Sequence, residues 1–285
     1  MIGRAAVLGR RKPVRSTPAE LALRELGIED PCDIDLEAIA WHRGAQVKYQ
    51  RLDGCEARIL GYEDRAVITV DDRKGPQRAR YSVGHELGHW HHHRGQSFIC
   101  RPDDIAGRAP VDRSGRPVEV AMLSAERVAD SYSADLLMPN YLFSRLAGQQ
   151  PKLTLKGVEE LAEAFQTSFT ATAIKTIDAG PVPAILVCHG AAGREWFRRH
   201  RDVPDRWFPQ ETLDPDSYAP DVLAGKMERS HCAKVGADAW FDRNDASWFE
   251  LTEQSIRIGG KVLTFLVIED GEMLEDAGAG PHRRW

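Results

Sequence analysis

The stretch that decides the fold reads YSVGHELGHW, residues 81–90 of the 285-residue chain. Within it, His85-Glu86-Leu87-Gly88-His89 places two histidines four residues apart. On an α-helix, residues at this spacing share one face, about 6 Å apart along the axis, so both imidazoles can converge on one metal ion. The sequence therefore predicts a helix from about Arg78 to His93 that carries a metal site; surface histidines on a helix are the alternative.

Glu86 follows the first histidine directly, so its side chain points beside the pair rather than between the two rings. Zinc accepts neutral imidazole nitrogen, and a carboxylate next to the ion can take a proton from the water that the metal activates. We therefore predict His85 and His89 as ligands of zinc, with manganese or iron as alternative metals, and Glu86 as the catalytic base. His89 and His93 form a second pair at the same spacing, but no glutamate follows His89.

A catalytic zinc site needs a third protein ligand and one open position. Glu126 and Asp130 lie four residues apart in ERVADSYSADLLMP, residues 126–139, where a second helix is predicted from about Leu123 to Leu137. One carboxylate can bind the metal, and the other can accept the outer N–H of a ligand histidine. A solvated acidic helix face is the alternative. Further candidates for the third ligand are Asp103, Asp104, Glu119, Cys100 and the run His91 to His93.

Four separated features of the chain occur in the order known from one protein family. They are HELGH, a later ExxAD on a second helix, a closing LLMP, and the upstream approach RAVITVDD followed by RARYSVGHELGHW. Over roughly residues 30–145, the chain therefore resembles the ImmA/IrrE family of zinc metallopeptidases.

The resemblance implies that His85, His89 and Glu126 bind zinc and that Glu86 is the general base. Family members are cytoplasmic bacterial proteases that typically cut a helix-turn-helix repressor, and so derepress genes for stress response or mobile-element transfer. We therefore expect a site-specific endopeptidase with such a repressor as its substrate. The Gly/Pro-rich stretch 95–117 is longer than the family pattern, which indicates a lid or a different third ligand.

The second half of the chain has a different character. An amphipathic pattern over 153–165, a Thr167-Ser168 turn and a second short helix predict a helix-turn-helix unit. Ile256 to Val262 contains a Gly-Gly turn typical of a β-hairpin, and a buried strand is predicted from Val262 to Ile268. The order of peptidase, helix-turn-helix and C-terminal sensor-like domain resembles the IrrE branch, where the last domain is similar to a GAF fold.

These patterns predict an α+β chain with four parts. They are a basic tail (1–16), a zincin-like metallopeptidase domain (17–148), a helix-turn-helix unit (149–180) and a C-terminal GAF-like α+β domain (181–285) that could bind a small ligand. The alternation in Ala66–Val70 predicts a strand, which we interpret as edge-like. We expect the substrate to lie extended against it as an added strand.

We do not expect direct DNA binding, because residues 149–180 contain three lysines and four acidic residues and so lack the cations that phosphates require. A packing or substrate-docking role is expected for this unit. One basic patch outside the tail interleaves arginines with aromatics. It could stack on a nucleobase, or its aromatics could belong to the core beside surface arginines. The patch comprises Arg194, Arg198, Arg199, Arg201, Arg206, Trp196, Phe197, Trp207 and Phe208.

Composition narrows the class of protein further. With 38 basic and 43 acidic residues, the net charge of −5 produces no global attraction to nucleic acid or membranes. The longest apolar run, Ala184 to Cys188, is far below the roughly 18 residues of a membrane helix. Five scattered cysteines without a CxxC pair indicate a reducing compartment. We predict a cytoplasmic protein; the alternative function is a DNA-binding or ligand-sensing regulator with a structural metal site.

Overall fold

The structure is a computed structural model that describes residues 16–102, 105 and 124–275. Two β-sheets and the helices packed on them make up these residues, which confirms the predicted α+β class. Residues 1–15 of the basic tail, most of the Gly/Pro-rich stretch, and the candidate ligands Asp103, Asp104 and Glu119 lie outside the described residues.

The first sheet has the strand order β1-β3-β2-β4. β1 and β3 are parallel, whereas β2 is antiparallel to both β3 and β4. The strands are β1 (Ala45–Tyr49), β2 (Ala57–Tyr62), β3 (Arg65–Val70) and β4 (Phe98–Cys100). The helices of this half are α1 (Pro18–Glu25), α2 (Leu36–His42), α3 (Pro76–His92), α4 (Ala125–Leu137) and α5 (Asn140–Ala147).

β3 is an inner strand, so the prediction of an edge-like strand that pairs with the substrate is wrong. β1 pairs with one side of β3 and β2 with the other, and both rows of backbone groups on β3 are therefore already used. Side-chain alternation indicates which face of a strand is buried, but it carries no information about the neighbouring strands. Within the described residues, the outer strands of this sheet are β1 and β4.

The predicted metal-site helix is confirmed as α3, within two residues at either end. Pro76 occupies its first turn, where a missing N–H costs nothing, and the helix ends at His92. All residues from Ser82 to Trp90 are buried, because the helix lies between the first sheet and α4. The indole Nε1–H of Trp90 donates to the carbonyl of Arg43 at 2.8 Å. The histidines are therefore interior side chains, not surface ones.

The two helices of the predicted helix-turn-helix unit are α6 (Leu155–Phe165) and α7 (Phe169–Ala179). Every residue of α7 is buried or half-buried. Its Lys175 lies 3.4 Å from Asp135 of α4, and its Asp178 lies 3.1 Å from Arg198 of the second sheet. The helix that would read DNA in a helix-turn-helix protein is thus packed between the two halves of this chain.

The second sheet is antiparallel throughout, in the order β6-β5-β9-β8-β7. The Gly-Gly hairpin is confirmed: Gly259 and Gly260 connect β8 to β9 with φ of 54° and 79°, as a tight primed turn requires. The elements are β5 (Ala184–Gly190), β6 (Gly193–Arg199), α8 (Ala219–Leu223), β7 (Ala233–Gly236), β8 (Glu250–Ile258), β9 (Lys261–Val267) and α9 (Gly271–Leu274).

The arginine-aromatic patch belongs mainly to the interior of this second half. Trp207 is fully buried, and Arg199 is 1% exposed. The guanidinium of Arg199 donates to Asp205 at 2.9 Å and to the carbonyl of Trp207 at 2.7 Å. Phe197 and Trp207 are therefore core aromatics, whereas Phe208 is exposed, and two of the arginines, Arg198 and Arg199, are buried rather than at the surface.

Every helix in the described ranges is too short or too polar to span a membrane.

Candidate metal centre

Two glycines on α3 allow α4 to approach closely. A Cβ atom on Gly88 would lie 2.7 Å from the Cα of Ala129, and one on Gly84 would lie 2.5 Å from the Oγ of Ser133. Both distances are shorter than real Cβ contacts, so a side chain at either position would force the helices apart. Sequence reasoning missed this pair, although its spacing equals that of the two histidines.

The close approach brings three predicted ligand atoms together. The Nε2 atoms of His85 and His89 are 3.1 Å apart, and Glu126 Oε2 lies 3.1 Å and 3.2 Å from them. Nitrogen and oxygen donors around a tetrahedral zinc ion are about 3.3 Å apart, so this set fits such an ion. The Cys100 thiol completes a group whose donor atoms all lie within 4.8 Å of one another.

Asp130 orients the first of these histidines. The Nδ1–H of His85 donates to Asp130 Oδ1 at 2.9 Å, and the Tyr81 hydroxyl donates to the same oxygen at 3.1 Å. With its proton on Nδ1, the neutral ring turns the lone pair of Nε2 toward His89 and Glu126. This is the arrangement in which an outer carboxylate fixes the tautomer of a metal-ligating histidine.

The three donor atoms together favour a positive charge between them. Burial alone would lower the pKa of His85, but its hydrogen bonds to Asp130 and Glu126 outweigh burial and raise the pKa to about 9. Burial would likewise raise the pKa of Glu126, yet the two histidines hold it at about 2. A bound cation can replace the proton that these groups would otherwise share.

His89 and the first residue of β4 pack against each other. The ring of Phe98 stacks on the imidazole of His89, with centroids 4.1 Å apart and an angle of 13° between the planes. β4 in turn pairs with β2, so the sheet fixes the position of this ring and of Cys100 two residues later. The sequence offered no pattern for Phe98, because β4 is only three residues long.

Glu86 is fully buried beside the cluster. Burial raises the pKa of its carboxyl to about 7, although the charge of His85 and the nearby Cys100 thiol partly offset this. Among the described residues, neither oxygen of Glu86 accepts a hydrogen bond of ordinary geometry. A carboxylate with a pKa near neutrality is suited to accept and return a proton at physiological pH.

The remaining candidate histidines do not join the described donor group. His91 stacks on Tyr132, with ring centroids 5.1 Å apart. The ring of His93 is tilted against that of His89 at 5.7 Å. The alternative pair of His89 and His93 therefore lacks the convergence that His85 and His89 show.

Residues 41–176 match the family model of the IrrE N-terminal-like domain, Peptidase_M78. Together with the donor cluster, this match defines the class of protein as a metallopeptidase in general terms. The resemblance to the ImmA/IrrE family is therefore confirmed.

One solved structure, described as a Mycobacterium tuberculosis transcriptional regulator, shares the fold along most of the chain. Its TM-score is 0.53 at 16% sequence identity, with 90% of this chain and 88% of that chain covered. At this identity the likeness concerns the fold alone. No curated protein matches the sequence.

We expect Glu126→Ala to lower the metal content of the purified protein and Glu119→Ala to leave it unchanged. Loss of Glu126 removes one of the three nitrogen and oxygen donors of the cluster. Glu119, which precedes α4 in the sequence, is the other glutamate that was a candidate for the third ligand. Elemental analysis of both folded variants after loading with equimolar zinc measures the difference. The reverse result would show that the wrong carboxylate has been chosen.

Proposed function

We propose that this protein is a zinc-dependent, site-specific endopeptidase. The observation that carries the proposal is the convergence of His85, His89 and Glu126 next to the fully buried carboxyl group of Glu86. A zinc ion held by these residues would polarise a peptide carbonyl and acidify a water molecule. Two histidines and one glutamate are a ligand set found in catalytic zinc sites.

Glu86 supplies the proton transfers in this proposal. Its carboxylate takes the proton of the attacking water and then gives it to the departing amine. Burial and the raised pKa of about 7 support this role, because the group can exist in both protonation states near neutral pH. Asp130 keeps the His85 ring in the orientation that the metal needs.

The substrate that we propose is a helix-turn-helix repressor, whose cleavage in the cytoplasm derepresses stress-response or mobile-element genes. β4 replaces β3 as the strand beside which an extended segment of the repressor lies. Within the described ranges, β4 pairs with β2 alone, and its residues Phe98 and Cys100 contact or approach the donor cluster. An extended peptide there would bring its backbone close to the metal.

Direct DNA binding is not part of the proposal. The packing of α7 between the two halves supports this, because a recognition helix needs a free face to enter the major groove. The balanced charge of residues 149–180 also argues against DNA binding, because phosphates require an excess of cations. A small ligand of the C-terminal domain remains compatible with proteolysis and would regulate it.

A second candidate function is a transcriptional regulator whose metal is structural. Cys100 favours it, since structural zinc sites are closed by four protein ligands and often include cysteine. The solved structure of similar fold is also described as a transcriptional regulator. In this alternative, the buried Glu86 has no chemical task.

Co-expression with helix-turn-helix repressors of the same genome tests the proposed function. We expect one repressor to appear as two fragments by mass spectrometry with the wild-type protein, and to stay intact with Glu86→Gln. Intact repressors with the zinc-loaded wild-type protein, together with a sequence-specific DNA complex of the Glu86→Gln protein, would favour the regulator instead.

A further inference from the structure

Cys100 ends β4 with its thiol next to the three donors of the metal site. Its backbone is held by pairing with Ala57 of β2, and its carbonyl accepts the backbone N–H of Glu56 at 2.9 Å. The residue is fully buried, and its Sγ atom lies within 4.8 Å of each of the other donor atoms. The sheet therefore fixes a fourth potential donor at the centre.

The thiol decides whether this centre is open or closed. Catalytic zinc sites keep one of four positions free of protein, whereas structural sites fill all four. His85, His89 and Glu126 account for three positions. A thiolate is a strong zinc ligand with a bond of about 2.3 Å, so a small side-chain movement of Cys100 would fill the fourth.

We propose that Cys100 is a displaceable fourth ligand that closes the metal site of the resting protein. On binding, the S–H bond of Cys100 breaks, its proton is released to water, and a sulfur–metal bond forms. When an oxygen ligand displaces the sulfur, the sulfur–metal bond breaks and the thiolate takes up a proton from water. This inference rests on the metal site of the proposed function.

The closed state is inactive because sulfur occupies the position at which a substrate carbonyl or water would bind. Any oxygen ligand must therefore compete with Cys100. Its apparent affinity equals its affinity for the open state multiplied by the fraction of protein in that state. Such a site restricts cleavage to segments that bind well enough to displace the thiolate.

Cobalt substitution tests whether the sulfur binds the metal. We expect the cobalt-loaded wild-type protein to show the near-ultraviolet charge-transfer absorption of a thiolate–cobalt bond. Cys100→Ala should lack this absorption but keep the visible bands of four-coordinate cobalt. Cys55→Ala is the matched control, because Cys55 is a half-buried thiol of the same half of the chain outside the donor group, and it should resemble the wild type.

Titration with acetohydroxamate, a small oxygen-donor ligand of zinc and cobalt, tests displacement. The charge-transfer absorption of the wild-type protein should decline as the hydroxamate binds. Its apparent affinity should be about tenfold higher for Cys100→Ala, where no thiolate competes. Cys100→Ser serves as a second variant if the alanine variant does not fold.

The outcomes separate this inference from the proposed function. Cobalt bound by the wild-type protein without charge-transfer absorption would overturn the role of Cys100 and leave the peptidase proposal standing. A charge-transfer band that persists at saturating hydroxamate would show a permanent ligand and thus favour the structural site. A wild-type protein that binds no cobalt would overturn both proposals.

Discussion

Replacing Glu86 by glutamine is expected to lower repressor cleavage at least about 10²-fold, because the amide cannot accept the proton of the attacking water. Glutamine has nearly the shape of glutamate, and Glu86 is not among the donor atoms of the cluster. The variant should therefore bind as much zinc as the wild type. Single-turnover cleavage rates, measured on protein with verified metal content, give the comparison.

A suitable control is Glu160→Gln, on the exposed side of α6, which should cleave at the wild-type rate. It removes one negative charge from the chain, as Glu86→Gln does, but far from the donor cluster in sequence and on a different helix. Substantial cleavage by metal-loaded Glu86→Gln would remove Glu86 from the mechanism and leave the metal site without its base.

Gly88→Ala is expected to destabilise the protein and to weaken metal binding together. The new methyl group would lie 2.7 Å from the Cα of Ala129 and 2.9 Å from its carbonyl oxygen, and backbone atoms cannot swing aside as a side chain can. Overpacking of this kind costs about 1–3 kcal/mol. Because α4 carries Glu126 and Asp130, its displacement should also lower zinc affinity at least about tenfold.

The direction of the stability change caused by Gly88→Ala distinguishes helix propensity from helix packing. In a helix without neighbours, alanine in place of glycine would stabilise by about 1 kcal/mol, so intrinsic propensity and packing predict opposite changes. Thermal unfolding and zinc titration of the purified variant measure both effects. Gly75→Ala, before the same helix and with no atom within 4 Å of a new Cβ, is the control and should change stability by less than about 1 kcal/mol. A Gly88→Ala protein as stable as the wild type with full zinc affinity would contradict the proposed helix packing.

Local patterns predicted much of the fold and part of the site. The spacing of His85 and His89 predicts one helix face, and Glu126 and Asp130 follow the same rule on a second helix. The Gly-Gly hairpin, the strand Ala57–Tyr62 and the paired helices at 155–179 are similarly local. Each depends on periodicity or turn chemistry within some ten residues, which the chain carries whatever its tertiary structure.

Other properties depend on which segments meet. The alternation in β3 is the same for an edge strand and an inner strand, so only the sheet shows that β1 and β2 occupy both of its sides. The burial of α7 likewise depends on both halves of the chain, and the sequence predicted only a packing or substrate-docking role for this unit.

The same distinction holds within the metal centre. By itself the sequence determined the two histidines, the neighbouring Glu86 and two candidate carboxylates, because one helical turn sets their spacing. It left Cys100 among several candidates, and it did not indicate Phe98 or the packing role of Gly84 and Gly88. Only the tertiary structure decided the roles of these four residues. Cys100 and Phe98 approach the histidines because β4 pairs with β2. The two glycines matter only because α4 crosses α3 at their positions. Such contacts join residues distant in sequence, and no local period encodes them.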